Sequence, residues 1–453
     1  MRAGTAKVCI TPPVGTWQGG YGARTHPCEG IHDQLFARAL VLEDDSGRPR
    51  GAIVSVDISG LPPEVADAAR ERAEQMAGIP AQHIALCASH THGGPATRGF
   101  LGREDGPQAD PDYLRILEKY LAGAVAAAAR DLQPVRARLG RGQAGFNVNR
   151  RLRTPAGTQM RPNPEGAVDR EVLVLRLDRD DGEPALAPSP LAILLRYTCH
   201  ATAMGAQNYL ITADYPGAAA AFVEAAYAGQ TPALFLQGCA GNVRPSLVTP
   251  AGAFRGASWA ELAQLGRELG AAAVAAAERA VGTDPGSTEP LAIAATTVLL
   301  PYAPPPDVAE LRRLLADGRW PHGPALTETE RRWASQTLEA LAEGKLDDGM
   351  PAEVQVFRLG HVWLVTLPGE VFVEIGWHVR DAVASAAGVP AERVIVAAYA
   401  NGMVGYVPAA AAIPEGGYEV TAYRHSGRIS GYAPEAEDVL ARTAAQLAAA
   451  LAG

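Results

Sequence analysis

Three histidines are the residues whose type and spacing point most directly to chemistry. His90 and His92 lie in the segment 87–94, where an apolar run enters a glycine turn, and His200 ends a second apolar run over residues 196–200. Neutral imidazole is the commonest ligand of transition metals, and a catalytic zinc site takes about three protein ligands while it keeps a position for water. The three histidines therefore predict a catalytic zinc site.

The elements that position these histidines can be read from the flanking sequence. Residues 50–57 and 83–88 are short apolar runs typical of buried strands, and residues 63–78 between them predict a helix. A strand–helix–strand unit of this kind implies a parallel pair joined by a right-handed crossover. His90 and His92 follow the carboxyl end of the second strand, where open α/β sheets bind ligands, and residues two apart in an extended segment point to the same side.

Several polar residues near these elements have two interpretations that the sequence leaves open. A single histidine is more often a hydrogen-bonded structural or surface residue than a ligand. Glu370 lies where an apolar strand gives way to a helix, so it is either a site residue or a first-turn acid that stabilises the helix. Asp57 and Asp214 are candidates to orient metal-bound histidines, although Asp214 is first interpreted as the cap of a helix that begins near residue 216.

Cysteine chemistry is the minor alternative. Cys239 ends another apolar strand but has no base partner evident in the sequence. The five cysteines are odd in number and lack metal-finger spacing, so a disulfide framework is not expected.

The composition predicts a folded α/β protein. Of the 453 residues, 47% are hydrophobic and 20% are charged, which is ordinary for a globular chain. Helical patterns occur at residues 111–131, 216–229, 257–281, 371–387 and 435–451. Strand-like runs occur at residues 170–177, 190–198, 232–236, 290–299, 353–367 and 393–399. Their alternation predicts an α/β fold with mixed β-sheets covered by helices.

No low-complexity linker divides the chain, so we expect a single large domain over residues 1–453. Residues 301–350 contain three consecutive prolines at 304–306 and many charges. This stretch predicts a helical insertion that is either a lid or an inert surface excursion. Such an exposed insertion could also serve as the interface of a homo-oligomer.

Charge and hydropathy argue against two classes of partner. The formal net charge is −9, and no run of Lys and Arg would follow a phosphate backbone, so nucleic acid is not expected as a partner. The first residues lack the apolar core of a secretory signal, and no apolar stretch reaches the length that spans a bilayer. We therefore expect a cytoplasmic protein without stable membrane association.

Many sequence segments, taken in order, resemble the amino-terminal catalytic domain of the neutral ceramidase family. They are residues 6–13, 20–21, 31–39, 56–61, 89–92, 147–150, 163–164, 237–242, 367–370, 401–408 and 415–419, together with His200. So many matched segments in one order make chance an implausible explanation. The resemblance covers nearly the whole chain, and it implies a ceramidase-like fold and a zinc-dependent hydrolase that cleaves amide bonds.

The resemblance also implies roles for individual residues. The zinc ligands would be His90, His200, Glu370 and Tyr406. His92, Arg150 and Tyr418 would line the same pocket. Arg150 and Tyr418 are donors suited to the oxyanion, and His92 could move a proton to the leaving amine. Arg151, next to Arg150, is interpreted as a surface charge.

Two departures from the family pattern shape the expected function. Members of the family use a serine nucleophile after His200, for which Ser246 is the nearest candidate and Ser258 the second; attack by zinc-bound water is preferred. The carboxyl-terminal immunoglobulin-like domain of full-length ceramidases is not expected here, which favours a smaller, soluble N-acyl compound or ester over ceramide.

Two other function classes remain as alternatives. The same scaffold could support a zinc-dependent esterase, lactonase or sugar-derivative hydrolase, because a fold and a metal do not fix the substrate. A catalytically inactive binding protein is the second, although it would have no need to keep the complete ligand set.

Overall fold

The computed structural model describes residues 1–44, 47, 49–99, 105–180, 189–282, 291–321 and 323–452. Its strands are β1 (Arg2–Cys9), β2 (Gly30–Ile31), β3 (Phe36–Glu43), β4 (Pro49–Val56), β5 (Ile84–Ala88), β6 (Gln133–Gln143), β7 (Asn147–Thr154), β8 (Gly157–Asn163), β9 (Glu171–Arg179), β10 (Pro190–Tyr197), β11 (Leu210–Ile211), β12 (Ala233–Gln237), β13 (Val243–Pro245), β14 (Val281–Gly282), β15 (Leu291–Pro301), β16 (Gly349–Leu359), β17 (Val362–Thr366), β18 (Glu370–Val371), β19 (Val394–Ala397) and β20 (Tyr406–Val407). Its α-helices are α1 (Pro63–Ala77), α2 (Pro111–Ala128), α3 (Asp214–Ala226), α4 (Trp259–Glu278), α5 (Val308–Asp317), α6 (Glu328–Glu343), α7 (Val373–Ala387), α8 (Tyr418–Thr421) and α9 (Glu435–Ala452).

The larger sheet has the strand order β12-β10-β9-β6-β1-β3-β4-β5, and β14 pairs with β6. The pairs β4–β5 and β10–β12 are parallel, whereas β1–β3, β3–β4, β6–β9 and β9–β10 are antiparallel. The helix α1 connects β4 to the parallel strand β5, so the predicted strand–helix–strand unit is confirmed. The helix α1 begins with Pro63, and Gly78, the residue after its last one, has φ +68°. Proline suits the first turn of a helix and glycine its left-handed end.

A smaller sheet packs face to face with the larger one. Its order is β15-β16-β17-β19, with β17 and β19 parallel. The apolar layer between the sheets joins Leu40 and Leu42 of β3 to Phe357, Leu364 and Ile395 of the smaller sheet. Each fully buried side chain of this kind contributes roughly 1.5–3 kcal/mol. Successive residues of a strand face opposite sides, so the other residues of β3 belong to a second core.

Helices cover the outer faces of both sheets. Ala37, Ala39 and Val41 of β3 face the core that includes α1 and α2, while α3 and α4 pack over β9, β10 and β12. The helices α7 and α9 cover the smaller sheet. The layers are therefore helix, sheet, sheet, helix, and the prediction of an α/β fold with mixed β-sheets covered by helices is confirmed.

The 301–350 stretch contains α5 and α6, which form a small core of their own. Leu311, Leu314 and Trp333 are buried in it. Trp333 Nε1 donates a hydrogen bond to the carbonyl oxygen of Arg428 (2.9 Å). The helix α6 therefore contacts the segment 422–428. The predicted insertion is helical, and its role as a lid or an interface stays a prediction. Within the described residues, no helix is both long enough and apolar enough to cross a membrane.

Candidate metal centre

His90 and His92 lie in the loop that follows β5. His90 has φ +62°, a conformation that costs free energy for a residue with a Cβ and that is found most often at functional sites. Its Nδ1 lies 2.5 Å from the carbonyl oxygen of Ser59. The backbone N–H of His92 donates to the carbonyl oxygen of Ala201 (3.1 Å), which ties this loop to the loop that carries His200.

His200 comes from the loop after β10, whereas His90 and His92 follow β5. These two strands lie towards opposite ends of the strand order of the larger sheet. Its backbone N–H donates to the carbonyl oxygen of Val243 (3.0 Å), and its Nδ1 lies 2.7 Å from the carbonyl oxygen of Ala240. The side chain is fully buried. Both loops therefore hold their histidines through backbone contacts with neighbouring loops.

Glu370 and Tyr406 reach the same place through a short parallel pair. In the β18–β20 pair, Glu370 lies directly opposite Tyr406. Gly369 precedes Glu370 with φ +72°, and a Cβ there would lie 2.5 Å from the carbonyl oxygen of Gly405. Only glycine permits this close approach, so the Gly369–Gly405 contact sets the alignment of the glutamate with the tyrosine.

We call His90, His92, His200 and Glu370 the histidine–glutamate cluster. His90 Nε2 lies 3.1 Å from His200 Nε2 and 3.2 Å from His92 Nε2. Glu370 Oε2 lies 3.0 Å from His200 Nε2 and 3.4 Å from His90 Nε2, but these contacts lack hydrogen-bond geometry, so this oxygen has no hydrogen-bond partner. Tyr406 adds its hydroxyl oxygen, 3.4 Å from His200 Nε2.

The positions of the ring protons decide which nitrogen atoms of this cluster can bind a cation. A carbonyl oxygen only accepts, so Nδ1 of His90 and Nδ1 of His200 carry protons, and in the neutral rings the two Nε2 atoms carry lone pairs. Lone pairs on two imidazoles and a carboxylate oxygen thus converge within hydrogen-bond distance with no proton between them. Such an arrangement is unfavourable unless a cation lies among the acceptors. A carbonyl that holds Nδ1–H is also the usual outer partner of a metal-bound histidine.

Burial sets protonation states that favour a metal. Burial lowers the pKa of His200 to about 3, and Arg150 and His90 act in the same direction. Burial also lowers the pKa of His92 well below its usual value. Burial alone would raise the pKa of Glu370, but positive charge beside it, carried by His90 and His200 when they are protonated, lowers it well below its usual value. A bound cation would act in the same direction. Neutral imidazoles and an ionised carboxylate are the forms that bind metals, so the buried histidines His90, His92 and His200 could hold a metal ion.

Arg150 lies directly beside the cluster and makes three fixed hydrogen bonds. Its Nε donates to Glu419 Oε1 (2.8 Å), and its Nη2 donates to the Gly241 carbonyl oxygen (2.7 Å) and to the Tyr406 hydroxyl (2.9 Å). Burial raises the pKa of Tyr406 well above its usual value, while Arg150 opposes that shift. Tyr418 is 45% exposed because it faces an open cavity, and its ring centre lies 5.7 Å from that of Tyr406.

The interpretation of Arg151 as a surface charge is wrong. Arg151 is buried, and its Nη1 donates to Glu419 Oε2 (2.9 Å). Strict alternation along β7 would send Arg150 and Arg151 to opposite faces, but the pairing of β7 with β8 is irregular between Asn149 and Arg151. A bulge of this kind re-aims side chains, and both arginines consequently reach one glutamate.

The candidate nucleophiles from the sequence lie apart from the cluster. Ser246 is exposed and does not line the cavity. The Ser258 side chain accepts a hydrogen bond from the Glu261 N–H and caps α4. Cys239 is fully buried, and burial raises the pKa of its thiol to about 12. A thiol with that pKa is not a thiolate at neutral pH, so it is not nucleophilic.

Asp57 and Asp214 do not orient the histidines. The Asp57 carboxylate accepts from Arg38 Nη1 and from the Phe36 N–H, both at 2.9 Å. Asp214 is the first residue of α3, and its carboxylate accepts from the N–H groups of Tyr215 and of the loop residues 203–204. The carbonyl oxygens of Ser59 and Ala240 take the orienting role that was expected of these carboxylates.

A cavity of about 450 Å³ opens over the cluster. His90, His92, Glu370, Tyr406 and Tyr418 lie in its lining. Sequence reasoning missed the rest of the wall, which includes Arg98, Met350, Met403, Val404, His425 and Arg428. Met403 and Val404 lie within the segment 401–408 that carries the resemblance, so that segment was the signal available for them. The sequence around Arg428 carries no comparable signal.

The comparisons with known proteins agree with this geometry. A family model described as neutral/alkaline non-lysosomal ceramidase, N-terminal, matches residues 2–258, which is more than half of the chain. The chain belongs to the neutral/alkaline non-lysosomal ceramidase family, and the resemblance seen in the sequence is confirmed.

Relatives and solved structures give the extent of the similarity. Neutral ceramidase of Drosophila melanogaster is 28% identical over 277 residues, which are 55% of this chain and 36% of that protein. Neutral ceramidase of Mycobacterium tuberculosis is 24% identical, over 86% of this chain and 68% of that protein. The matched region therefore spans little more than a third of the Drosophila protein.

Two solved structures show the same fold. Neutral ceramidase from Pseudomonas aeruginosa matches with a TM-score of 0.73 at 22% identity, and the match covers 100% of this chain and 74% of that chain. A structure of ceramidase complexed with C2 gives a TM-score of 0.75 at 22% identity over 99% of this chain and 75% of that chain. The prediction of a ceramidase-like catalytic fold is thus confirmed.

Proposed function

We propose that the protein is a zinc-dependent hydrolase that cleaves the amide bond of an N-acyl compound smaller and more soluble than ceramide. The observation that carries this proposal is the convergence of proton-free acceptors in the histidine–glutamate cluster at the floor of an open cavity. Family membership supports the reaction class, because the relatives are neutral ceramidases and ceramide is itself an N-acyl compound.

The donor set fits zinc. Imidazole nitrogens with carboxylate and phenol oxygens suit this borderline ion better than they suit magnesium or calcium, which prefer oxygen ligands alone. We assign His90, His200, Glu370 and Tyr406 as ligands. When bound, zinc polarises the scissile carbonyl and makes a neighbouring water more acidic.

His92 is suited to move a proton rather than to act as a structural ligand. Its Nδ1 is buried without a hydrogen-bond partner, unlike Nδ1 of His90 and Nδ1 of His200, which are held by carbonyl oxygens. Because His92 Nε2 lies 3.2 Å from His90 Nε2, Nδ1 is the ring nitrogen of His92 that is left without a partner. A neutral imidazole with a free nitrogen can accept a proton from water and give it to the leaving amine.

Arg150 and Tyr418 supply donors for the oxyanion. Arg150 is held by Glu419 and Gly241, so its charge stays in place when substrate binds. Tyr418 faces the cavity, and burial raises the pKa of its phenol, so it keeps its hydroxyl proton at neutral pH. Fixed donors aimed at developing negative charge are a large source of catalysis.

Water is the nucleophile in this proposal, because Ser246 is exposed outside the cavity. Its hydroxyl adds to the acyl carbon, the carbon–nitrogen bond breaks, and the nitrogen leaves with a proton as an amine. The products are a carboxylic acid and an amine.

The test is a hydrolysis assay on chelator-treated protein with and without added zinc. A panel of N-acyl amines should include, for each amide, the ester with the same acyl group. We expect amine release that chelation abolishes and zinc restores. Ester cleavage without amide cleavage would favour the esterase alternative. Turnover that survives complete metal removal would contradict the proposal.

A further inference from the structure

The walls of the cavity differ in charge from its floor. Glu370 is the acidic residue among the described lining residues, and it belongs to the histidine–glutamate cluster. Away from the floor, the charged side chains of the described lining are Arg98 and Arg428. His425 also lines this wall, but burial lowers its pKa, so it is mainly neutral at neutral pH. Among the described lining residues, this wall is therefore cationic with no acid to balance it.

Arg428 is held in place without a carboxylate. Its Nη1 donates to the Val404 carbonyl oxygen (3.2 Å), and its guanidinium lies 4.6 Å from the ring centre of Tyr432. Its Nε is buried without a hydrogen-bond partner, and it forms no ion pair with any residue that the structure describes. Contacts of this kind fix the guanidinium but leave its charge uncompensated.

A glycine keeps this guanidinium accessible next to the metal centre. A Cβ at Gly405 would lie 3.2 Å from Arg428 Nη2, and Gly405 has φ +79°. Gly405 itself lines the cavity and immediately precedes Tyr406. The Nη2 group of Arg428 thus lies against Gly405, the residue that immediately precedes a proposed zinc ligand.

Arg98 adds a second positive charge to the same wall. It is exposed, and it makes no hydrogen bond or ion pair with the part of the chain that the structure describes. Burial raises the pKa of Tyr418, and Arg98 is among the charges that oppose that shift. Arg98 and Tyr418 line the same cavity, so both can contact one bound molecule.

Another part of the wall is apolar. Pro62, Met350, Met403 and Val404 lie in the cavity lining. Methionine side chains adapt their shape readily to an apolar ligand. An acyl chain of moderate length suits this wall, and it leaves the arginine wall for a different part of the substrate.

We propose that the substrate carries a negatively charged group close to the scissile amide, as an N-acyl amino acid does, and that Arg428 and Arg98 bind that group. This inference rests on the proposed amide hydrolysis and names its substrate class. Guanidinium groups bind carboxylates through paired, charge-assisted hydrogen bonds. A fixed, unpaired arginine in a cavity wall is suited to that ligand.

The experiment compares two substrates that differ in one charge. N-decanoylglycine and N-decanoylglycinamide share the acyl chain and the scissile amide, but only the first is anionic at neutral pH. We expect kcat/KM for the anionic substrate to exceed that for the neutral one by at least about tenfold at low salt, with the ratio falling as salt rises. The R98Q and R428Q variants should each reduce this ratio by about tenfold, mainly through KM.

Arg424 provides the matched control. It lies in the same segment as Arg428 but stacks on Trp320 and Trp333 outside the cavity lining. The R424Q variant should keep the wild-type ratio. Because R98Q changes an exposed side chain, it should fold even where R428Q does not, and thermal unfolding of each variant checks this.

A second readout needs no turnover. Calorimetric titration of chelator-treated protein should show tighter binding of N-decanoylglycine than of the amide, and R98Q should weaken it. Equal hydrolysis of the two substrates would overturn this inference and leave the proposed function intact. Preferential binding of the anion with no hydrolysis of either compound would contradict the proposed function and leave the inferred anion site intact. Equal binding of both compounds to the metal-free protein would also overturn the inference.

Discussion

Arg38, Asp57 and Glu224 are buried side chains that form a second polar group with the exposed Lys7, here called the arginine–carboxylate cluster. Arg38 donates to Asp57 Oδ2 and to Glu224 Oε1, both at 2.9 Å, and Lys7 Nζ donates to Glu224 Oε2 at 2.6 Å. Two positive charges face two negative ones. In the histidine–glutamate cluster, by contrast, the neutral rings of His90 and His200 turn their Nε2 lone pairs towards each other and towards Glu370 Oε2. The first cluster is complete as the chain folds, whereas the second could hold a metal ion.

The difference shows which property of a buried polar group indicates function. Both clusters are buried and both shift pKa values: Arg38 lowers the pKa of Glu224 against the effect of burial, much as the imidazoles lower that of Glu370. A perturbed pKa therefore does not separate them. The mismatch between donors and acceptors does, because evolved interiors leave few buried polar groups unsatisfied.

The largest effect is expected from removing one histidine side chain of the histidine–glutamate cluster. The H200A variant should lose metal and should cleave amides at least about 1000-fold more slowly, because both carbonyl polarisation and activation of water depend on the ion. His378 is the control, since it is an exposed histidine that pairs with Glu437. The H378A variant should keep metal and rate. Hydrolysis by H200A within tenfold of wild type would remove His200 from the site.

Breaking the arginine–carboxylate cluster should cost stability instead of metal. The R38M variant leaves two carboxylates buried without their shared cation, which costs about 3–5 kcal/mol in the free energy of unfolding. Metal content per folded chain should not change. Arg380, a half-buried arginine that pairs with the exposed Asp381, is the control, and R380M should change stability by less than about 0.5 kcal/mol. Metal loss in folded R38M would show that the two clusters are coupled.

Asp214 is intermediate between the two clusters, because its carboxylate has hydrogen-bond donors but, in the described part of the chain, no cation beside it. It is a buried carboxylate that accepts backbone N–H groups and has no cationic partner among the described residues. Burial raises its pKa from 3.8 to about 6, although the backbone hydrogen bonds oppose the shift. The folded state therefore holds this proton more tightly than the unfolded state. The resulting stabilisation is complete below about pH 4 and is lost as pH rises through about 6.

The D214N variant tests this pH dependence. Relative to the variant, the wild type should gain up to about 3 kcal/mol in unfolding free energy between pH 7 and pH 4. Urea unfolding of both proteins across this range measures the difference. Parallel pH curves for the two proteins would show that Asp214 does not titrate there.

A smaller effect is expected at the arginine that borders the histidine–glutamate cluster. In R150K, one ammonium cannot replace the three hydrogen bonds to Glu419, Gly241 and Tyr406. We expect kcat to fall about 100-fold while metal content stays at the wild-type level. Arg153, on the same strand but 76% exposed at its side chain, is the control, and R153K should match wild type. A change confined to KM would assign Arg150 to substrate binding instead.

Local sequence patterns were enough to predict the strands and the helix that precede the loop with His90 and His92. Continuous apolar runs gave β4 and β5, and the prolines and glycine around residues 63–78 gave α1. His90 and His92 could be placed together because they follow one strand. The meeting of His200 with them depends on the order of strands in the sheet, and no local pattern determines that order.

Other parts of the site depend on contacts between distant segments. Glu370 and Tyr406 meet through the β18–β20 pair, which is too short to leave a pattern; family resemblance alone predicted their association. The bulge in β7 reversed the expected position of Arg151. The carbonyl oxygens that hold the histidines belong to Ser59 and Ala240, and backbone acceptors leave no trace in residue type.

The most direct test of the account is the number of metal ions that the folded chain binds. Chelator-treated wild type, H200A, H378A and R38M would be dialysed against a small excess of zinc, and bound metal would be counted by mass spectrometry. We predict one zinc per chain for wild type, H378A and R38M, and none above background for H200A. A wild-type chain that binds no metal, or an H200A chain that binds as much as wild type, would contradict the claim that a cation completes the histidine–glutamate cluster.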